Sequence, residues 1–246
     1  MPTTLPNRIP LSGAGLDPRQ RLIIALDVSS SAAAHKIVAA VGDSALNYKV
    51  GMQLFTAEGP SVVRDLVASG RRVFLDLKYH DIPSTVGRAV REAAELGVSM
   101  LTVHAAGGGR MLQAAVDAAG GSTGLMVLAV TVLTSMDDRD LETIGVRGTV
   151  VDSVTRLATV ALARGCHGVV TSAREASTLR AELGDDFAIV TPGVRPAGTS
   201  ADDQVRVVTP AEAIAAGASH IVVGRPITEA ADPAAEARAI LGQISG

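Results

Sequence analysis

Asp76, Lys78 and Asp81 fall within six residues, where an apolar run from Arg72 to Leu77 gives way to Tyr79-His80-Asp81-Ile82-Pro83-Ser84-Thr85. Carboxylates on both sides of an ammonium favour its charged form. An ammonium held in that way can face developing negative charge and then deliver a proton. Side chains alternate along a strand, so Asp76 and Lys78 point to one face with Phe74 beneath them. Ile82-Pro83 ends the extended run, and Ser84 or Thr85 is expected to cap a helix from Val86 to Leu96. Taking ions out of water costs several kcal/mol each before their attraction offsets it. On this window alone, a structural salt-bridge network and a reaction centre are both open readings.

The elements around the window repeat one unit from Arg21 onward. Short apolar runs of strand character recur at Leu22–Asp27, Leu46–Val50, Arg72–Leu77, Met100–His104, Leu125–Thr131, Gly168–Thr171, Phe187–Thr191 and Ser219–Gly224. Alanine-rich amphipathic stretches lie between them, among them Ala32–Val41, Val86–Leu96, Val150–Arg164 and Pro233–Leu241. Strand runs alternating with helical patterns indicate parallel strands joined by helical crossovers, and continuous Val/Ile/Leu runs mark strands buried on both faces. Eight units without a composition break predict an α/β fold, a (β/α)8 TIM barrel forming a single domain over residues 21–246. The length of 246 residues fits, since such barrels take roughly 250. A doubly wound sheet is disfavoured because the first strand runs into Leu26-Asp27-Val28-Ser29 rather than a Gly-x-Gly-x-x-Gly turn. Residues 1–20, rich in Pro, Gly and Thr, read as a flexible N-terminal extension without a signal-peptide core.

Composition narrows the partners. Net charge is −3 with dispersed basic residues, aromatics are 2% and Trp is absent. Such a chain has neither a stacking platform nor a basic stripe, so nucleic acid is not an expected partner. No apolar run reaches the ~20 residues of a membrane helix, and no membrane is expected. A single cysteine, Cys166, cannot form an internal disulfide and fits a reducing, cytoplasmic setting. It sits in Arg164-Gly165-Cys166-His167-Gly168, between helix and strand, where packing is the expected role.

In a parallel barrel the active site lies at the C-terminal ends of the strands. Here those ends carry Asp27, Tyr48-Lys49-Val50-Gly51, Asp76-Leu77-Lys78, His104-Ala105-Ala106-Gly107-Gly108, Thr131-Val132-Leu133-Thr134-Ser135, Thr191-Pro192-Gly193-Val194-Arg195 and Val223-Gly224-Arg225-Pro226. Polar groups gathered on one rim from different strands suit a binding site, which a salt-bridge network does not require. The seventh and eighth ends read as a phosphate clamp. Gly193 and Gly224 let backbone N–H groups approach an anion, and Arg195 and Arg225 can each offer a bidentate fork. The plainer alternative is tight turns with solvated arginines.

Several stretches carry a resemblance in order and spacing. They are Ile24-Ala25-Leu26-Asp27, Tyr48-Lys49-Val50-Gly51-Met52, Phe74 through Pro83, Val103-His104-Ala105, Val130 through Ser135, Thr191 through Arg195, Asp203-Gln204-Val205-Arg206 and Ile221 through Arg225. With them the chain resembles the orotidine 5'-phosphate decarboxylase family over nearly everything after Arg21. D-x-K-x-x-D followed by Ile-Pro-x-Thr is the specific element, while the Thr-Pro-Gly-x-Arg and Val-Gly-Arg elements are weaker alone.

The resemblance implies decarboxylation of orotidine 5'-monophosphate to uridine 5'-monophosphate and CO2, the last step of pyrimidine synthesis, with no metal and no organic cofactor. It implies a homodimer with shared sites, in which Lys49, Asp76 and Lys78 are completed by Asp81 of the second subunit. Asp27 and Lys49 would hold ribose hydroxyls, with Thr85 of the second subunit nearby, and Thr134 would lie near the pyrimidine. Gln204, Gly224 and Arg225 would hold the phosphate, and Arg195 also falls at a ligand-binding position. The segment from Gly193 to Gln204 has the composition of a mobile lid.

Two other readings remain beside it. A Mg²⁺-dependent sugar-phosphate decarboxylase of the same barrel group shares D-x-K-x-x-D. It needs a metal-binding carboxylate at the end of the second strand, where this chain has Lys49. A non-catalytic phosphate-ligand binding barrel would keep the clamp without chemistry, which the full Lys49, Asp76, Lys78 and Asp81 set argues against. Among the remaining residues, His104 is expected as a hydrogen-bonded support and His80 as a loop support. Met52, Met100 and Met126 are expected in the core, and Asp137 to Glu142 in a solvated loop.

Overall fold

The structure is a computed structural model that describes residues 11, 13, 15–120, 124–196 and 208–245. Eight strands, β1 (Leu22–Ala25), β2 (Asn47–Gly51), β3 (Arg72–Tyr79), β4 (Met100–His104), β5 (Met126–Val130), β6 (Gly168–Val170), β7 (Ala188–Thr191) and β8 (His220–Val223), form a closed parallel barrel. Each pairs with the next, and β8 closes onto β1 through Leu22 opposite Ile221 and Ile24 opposite Val223. Every strand lies within two residues of its expected start and end. The helices are α1 (Pro18–Arg21), α2 (Ser31–Val41), α3 (Met52–Glu58), α4 (Ser61–Ala68), α5 (Pro83–Glu95), α6 (Gly108–Ala119), α7 (Asp138–Thr143), α8 (Val150–Ala163), α9 (Ala173–Leu183), α10 (Pro210–Ala215), α11 (Arg225–Thr228) and α12 (Pro233–Gln243).

The continuous apolar runs follow from two cores. Ile23, Ala25, Phe74, Met100, Met126, Leu128, Ala188, Val190 and Val222 fill the barrel interior. Leu22, Ile24, Tyr48, Val50, Leu75, Leu101 and Val127, one position out of phase, pack outward under the helices. Both faces of the strands are therefore covered along most of their length, as parallel sheets require. Phe74 on the inner face puts Asp76 and Lys78 of the same strand above it, at the C-terminal mouth.

Local chemistry departs from expectation in four places. Helix α5 has Ile82 as N-cap with no side-chain cap bond, and Pro83 occupies the first helical position, so Ser84 and Thr85 lie inside the first turn. Proline fits there because its fixed φ suits the helix and the missing N–H had no intrahelical partner. The expected solvated loop from Asp137 to Glu142 is instead mostly helix α7. Asp137 accepts from Arg139 N and Asp140 N at 2.9 and 3.0 Å, while Asp140 accepts from Asp137 N at 3.0 Å. This reciprocal capping box satisfies backbone donors that a run of like charges would otherwise leave to water. Met52 is 57% exposed at the start of α3, whereas Met100 and Met126 are core as expected. Finally, the described part of the N-terminal stretch is tied to the barrel. Leu16 is buried, Asp17 caps α1, and Asn47 Nδ2 donates to Gln20 O at 2.8 Å.

His220 opens β8 on the inner face, two residues below Val222, and is fully buried. Neither ring nitrogen has a hydrogen-bond partner among the described residues. Burial, reinforced by the charges of Arg21 and Arg72, pushes its pKa down from 6.5 to about 4. The unfolded chain takes up this proton near pH 6.5 and the folded chain only near 4, so the folded state loses stability as pH falls through that window. The loss should reach about 2 to 3 kcal/mol between pH 7.5 and pH 4.5. Urea unfolding of wild type and His220→Leu at both pH values checks it: the variant should lose that much less on acidification. Equal acid sensitivity of the two proteins would remove His220 as the cause.

Candidate active site

The mouth of the barrel holds a row of alternating charges supplied by three strand ends. Register places Lys49 beside Ala25 on one side and Phe74 on the other, and Gly51 beside Asp76. Lys49 Nζ donates to Asp27 Oδ1 at 2.9 Å and faces Asp76 Oδ2 at 3.8 Å. Asp76 Oδ1 in turn accepts from Lys78 Nζ at 2.9 Å. Asp27 is open to solvent, but the Lys49, Asp76 and Lys78 side chains are only 12%, 14% and 26% exposed. Partial burial strengthens each pairing, and strict alternation leaves none of the three unpaired. Gly51 leaves room beside the row. A Cβ there would come within 2.9 Å of Lys49 Nζ and 3.4 Å of Asp27 Oδ1.

Lys78 is the only described residue other than glycine with a positive φ, at 51°. Its strand slips register against β4 between Leu75 and Tyr79, so the ladder is broken where the lysine sits. Left-handed backbone costs an L-residue about 1–2 kcal/mol, and such strain gathers at functional positions. The Lys78 N–H bonds instead to Thr102 Oγ1 of β4 at 2.9 Å, and that hydroxyl donates to Asp76 Oδ1 at 3.0 Å.

Beside this row lies a cavity of about 160 Å³ whose other wall is apolar: Val130, Val132, Leu133, Val170 and Val222. Lys49, Asp76, Lys78 and Thr134 all line it. The charged groups thus converge on one side of a partly open slot with an apolar opposite wall. A flat apolar ring can fill such a space while its polar or charged substituent meets the lysines.

The other expected site residues are spread around the rim. Gly224 sits where a Cβ would be 3.5 Å from Ala25 Cβ and 3.7 Å from Asp27 Oδ2, which brings the end of β8 against the end of β1. Arg225, the first residue of α11, is exposed. Gly193 has φ 74° after β7, and Arg195 is buried, its N–H donating to Val208 O at 3.0 Å. Gln204 and most of the expected lid lie outside the described residues. Asp81 and Thr85 do not line the cavity of their own chain. The Asp81 carboxylate is exposed and accepts from Ile82 N at 2.6 Å, with no cation of its own chain bonded to it among the described residues.

The two histidines at the mouth support each other by stacking. His80 and His104 have ring centroids 5.3 Å apart at 24° between planes. Burial, then the neighbouring His80 and Lys78, push the His104 pKa down, and a neutral ring is what such a stack favours. His104 Nδ1 is buried without a hydrogen-bond partner among the described residues, so packing holds it rather than the expected hydrogen bond. Cys166 is buried with its thiol pushed up to about 12, which leaves it inert.

Reading residues alone missed Thr102 and the apolar wall. A signal for Thr102 existed in its place between Met100 and His104 on the inward phase of β4. The hydroxyl itself is an ordinary strand residue in sequence.

Comparison with known proteins shows similarity along nearly the whole chain. A protein named orotidine 5'-phosphate decarboxylase from Afipia carboxidovorans is 52% identical over 229 residues, covering 93% of this chain and 96% of that protein. One of the same name from Sodalis glossinidius is 49% identical over 238 residues, covering 95% and 94%. The crystal structure of orotidine 5'-phosphate decarboxylase from Lactobacillus acidophilus superposes with a TM-score of 0.83 at 40% identity, over 92% of this chain and 99% of that one. With residues 20–240 matching the family model as well, the chain belongs to the orotidine 5'-phosphate decarboxylase / HUMPS family.

Proposed function

We propose that this protein is an orotidine 5'-phosphate decarboxylase of pyrimidine biosynthesis, releasing CO2 from orotidine 5'-monophosphate to give uridine 5'-monophosphate without metal or organic cofactor. The observation that carries the reading is the alternating row Asp27–Lys49–Asp76–Lys78 set against an apolar slot. Breaking the bond from C6 to the carboxylate leaves the electron pair on C6, in the ring plane and poorly conjugated with the π system. The Lys78 ammonium stabilises that charge as it forms. One of its protons then moves to C6, and the neutral amine regains a proton from water. Asp76 holds the ammonium in place, and Lys49 holds the second oxygen of Asp76. Asp76 also stands where it can crowd the substrate carboxylate, which is released as the bond breaks.

Asp27 and Lys49 bind the ribose hydroxyls in this reading, and Thr134 faces the pyrimidine. Arg195, Gln204, Gly224 and Arg225 take the phosphate, whose binding energy serves positioning at the distant carbon. The active form is a homodimer. Asp81, which does not line its own cavity, completes the row in a second copy, with Thr85 beside the ribose there.

The Mg²⁺-dependent alternative within the same family is weakened by Lys49. Its ammonium, bonded to Asp27, stands where that chemistry needs a metal-binding carboxylate. Ultraviolet absorbance of orotidine 5'-monophosphate with purified protein and excess chelator tests the proposal. Full turnover in chelator is expected. No turnover by a folded wild type, with activity appearing on sugar phosphates once Mg²⁺ is restored, would replace it.

A further inference from the structure

Thr102 belongs to no motif that marks the site, yet its hydroxyl touches the reacting pair twice. It is completely buried in β4, on the inner face above Met100. Its oxygen accepts from the backbone N–H of Lys78 at 2.9 Å, and its own proton goes to Asp76 Oδ1 at 3.0 Å. That same carboxylate oxygen accepts from Lys78 Nζ at 2.9 Å. A carboxylate oxygen accepts, so the hydroxyl's single proton lies in the second bond and one of its lone pairs serves the Lys78 N–H. The three bonds close a ring through Lys78 N, Thr102 Oγ1, Asp76 Oδ1 and Lys78 Nζ. This ring spans the point where β3 loses register with β4 and Lys78 takes its φ of 51°.

We propose that Thr102 is a positioning residue for the decarboxylation, its hydroxyl holding both the left-handed backbone of Lys78 and the rotation of the Asp76 carboxylate. The inference rests on the decarboxylase reading. The hydroxyl replaces the carbonyl that an unbroken ladder would offer to Lys78 N–H. In its absence a half-buried N–H and one lone pair of Asp76 lose their partner, and β3 has reason to relax toward ordinary strand geometry. Relaxation of that kind swings the ammonium away from the slot without removing it. Substrate binding, which draws on the ribose and phosphate contacts, is left alone.

Thr102→Val keeps shape and removes the hydroxyl, while Thr102→Ser keeps the hydroxyl. The valine variant should lose about 10- to 100-fold in kcat, because small misplacements of a reacting group cost that much. Its KM should stay within about threefold of wild type, and serine should restore kcat to a similar margin. A second readout needs no substrate. Acetic anhydride labelling of Lys78 in the native protein, followed by peptide mass, should rise several-fold in the valine variant and not in the serine one. If Thr102→Val does not fold, Thr102→Ala, which also lacks the hydroxyl and adds no bulk, carries the same comparison. Wild-type kcat in the variant lacking the hydroxyl, or equal loss in the serine variant, would overturn the proposal. If wild type does not decarboxylate orotidine 5'-monophosphate, the functional reading fails separately, and labelling decides on Thr102 alone: an unchanged Lys78 rate overturns it.

Discussion

Lys78→Ala is expected to lower kcat by about 100,000-fold, the combined scale of losing a positioned acid and a fixed charge at the reacting carbon. The change should fall on kcat far more than on KM, because ribose and phosphate contacts are untouched. The barrel should survive. Lys78 is at the mouth with its side chain 26% exposed, and Asp76 keeps Lys49 at 3.8 Å and the Thr102 hydroxyl at 3.0 Å. A companion variant separates chemistry from fold. Lys78→Gly should be equally inactive but about 1 kcal/mol more stable than Lys78→Ala, since glycine adopts a positive φ without the Cβ penalty. Single-turnover absorbance and urea unfolding on the three proteins measure both effects. Residual activity within tenfold of wild type in either variant would exclude Lys78 as proton donor. Equal stability of the two variants would mean that the φ of 51° carries no strain.

Asp81 gives the second large effect. Asp81→Ala should reduce kcat by about 100- to 1,000-fold, the usual scale for removing one positioned electrostatic group. The more telling experiment mixes it with Lys78→Ala. If each site takes Lys78 from one subunit and Asp81 from the other, a mixed dimer has one intact site and one lacking both groups. Random exchange of equal amounts makes half of the dimers mixed, so activity should recover to about one quarter of wild type. Ile82, 64% exposed beside Asp81, is the apolar neighbour that such an interface would cover. No recovery after proven subunit exchange would confine each site to a single chain.

These expectations depend unequally on sequence and on folding. Alternation of buried strands with amphipathic helices is a one-dimensional pattern, because burial on both strand faces demands nearly continuous apolar runs. The barrel was therefore legible from Leu22 to Val223, with each strand placed to within two residues. The D-x-K spacing was equally legible: a period of two puts Asp76 and Lys78 on one face wherever the strand goes. Short helices were less so. Four-residue α1 and α11 and six-residue α7 are too brief to show a period, and α7 rests on a capping box rather than an apolar stripe.

What only the tertiary structure decided is how the charged groups are held. The left-handed backbone at Lys78 and the slipped register of β3 on β4 arise from pairing between strands 24 residues apart, which local propensity does not encode. The bonds from Thr102 depend on that slip, so an unremarkable threonine acquires its place only once β4 lies alongside. Exposure of Asp81 and of Met52 depends likewise on where the loops leave the barrel mouth. Residue types and their spacing along a strand settle which groups share a face. Distances between strands, and the orientation of each carboxylate and ammonium, are set by packing that no single segment contains.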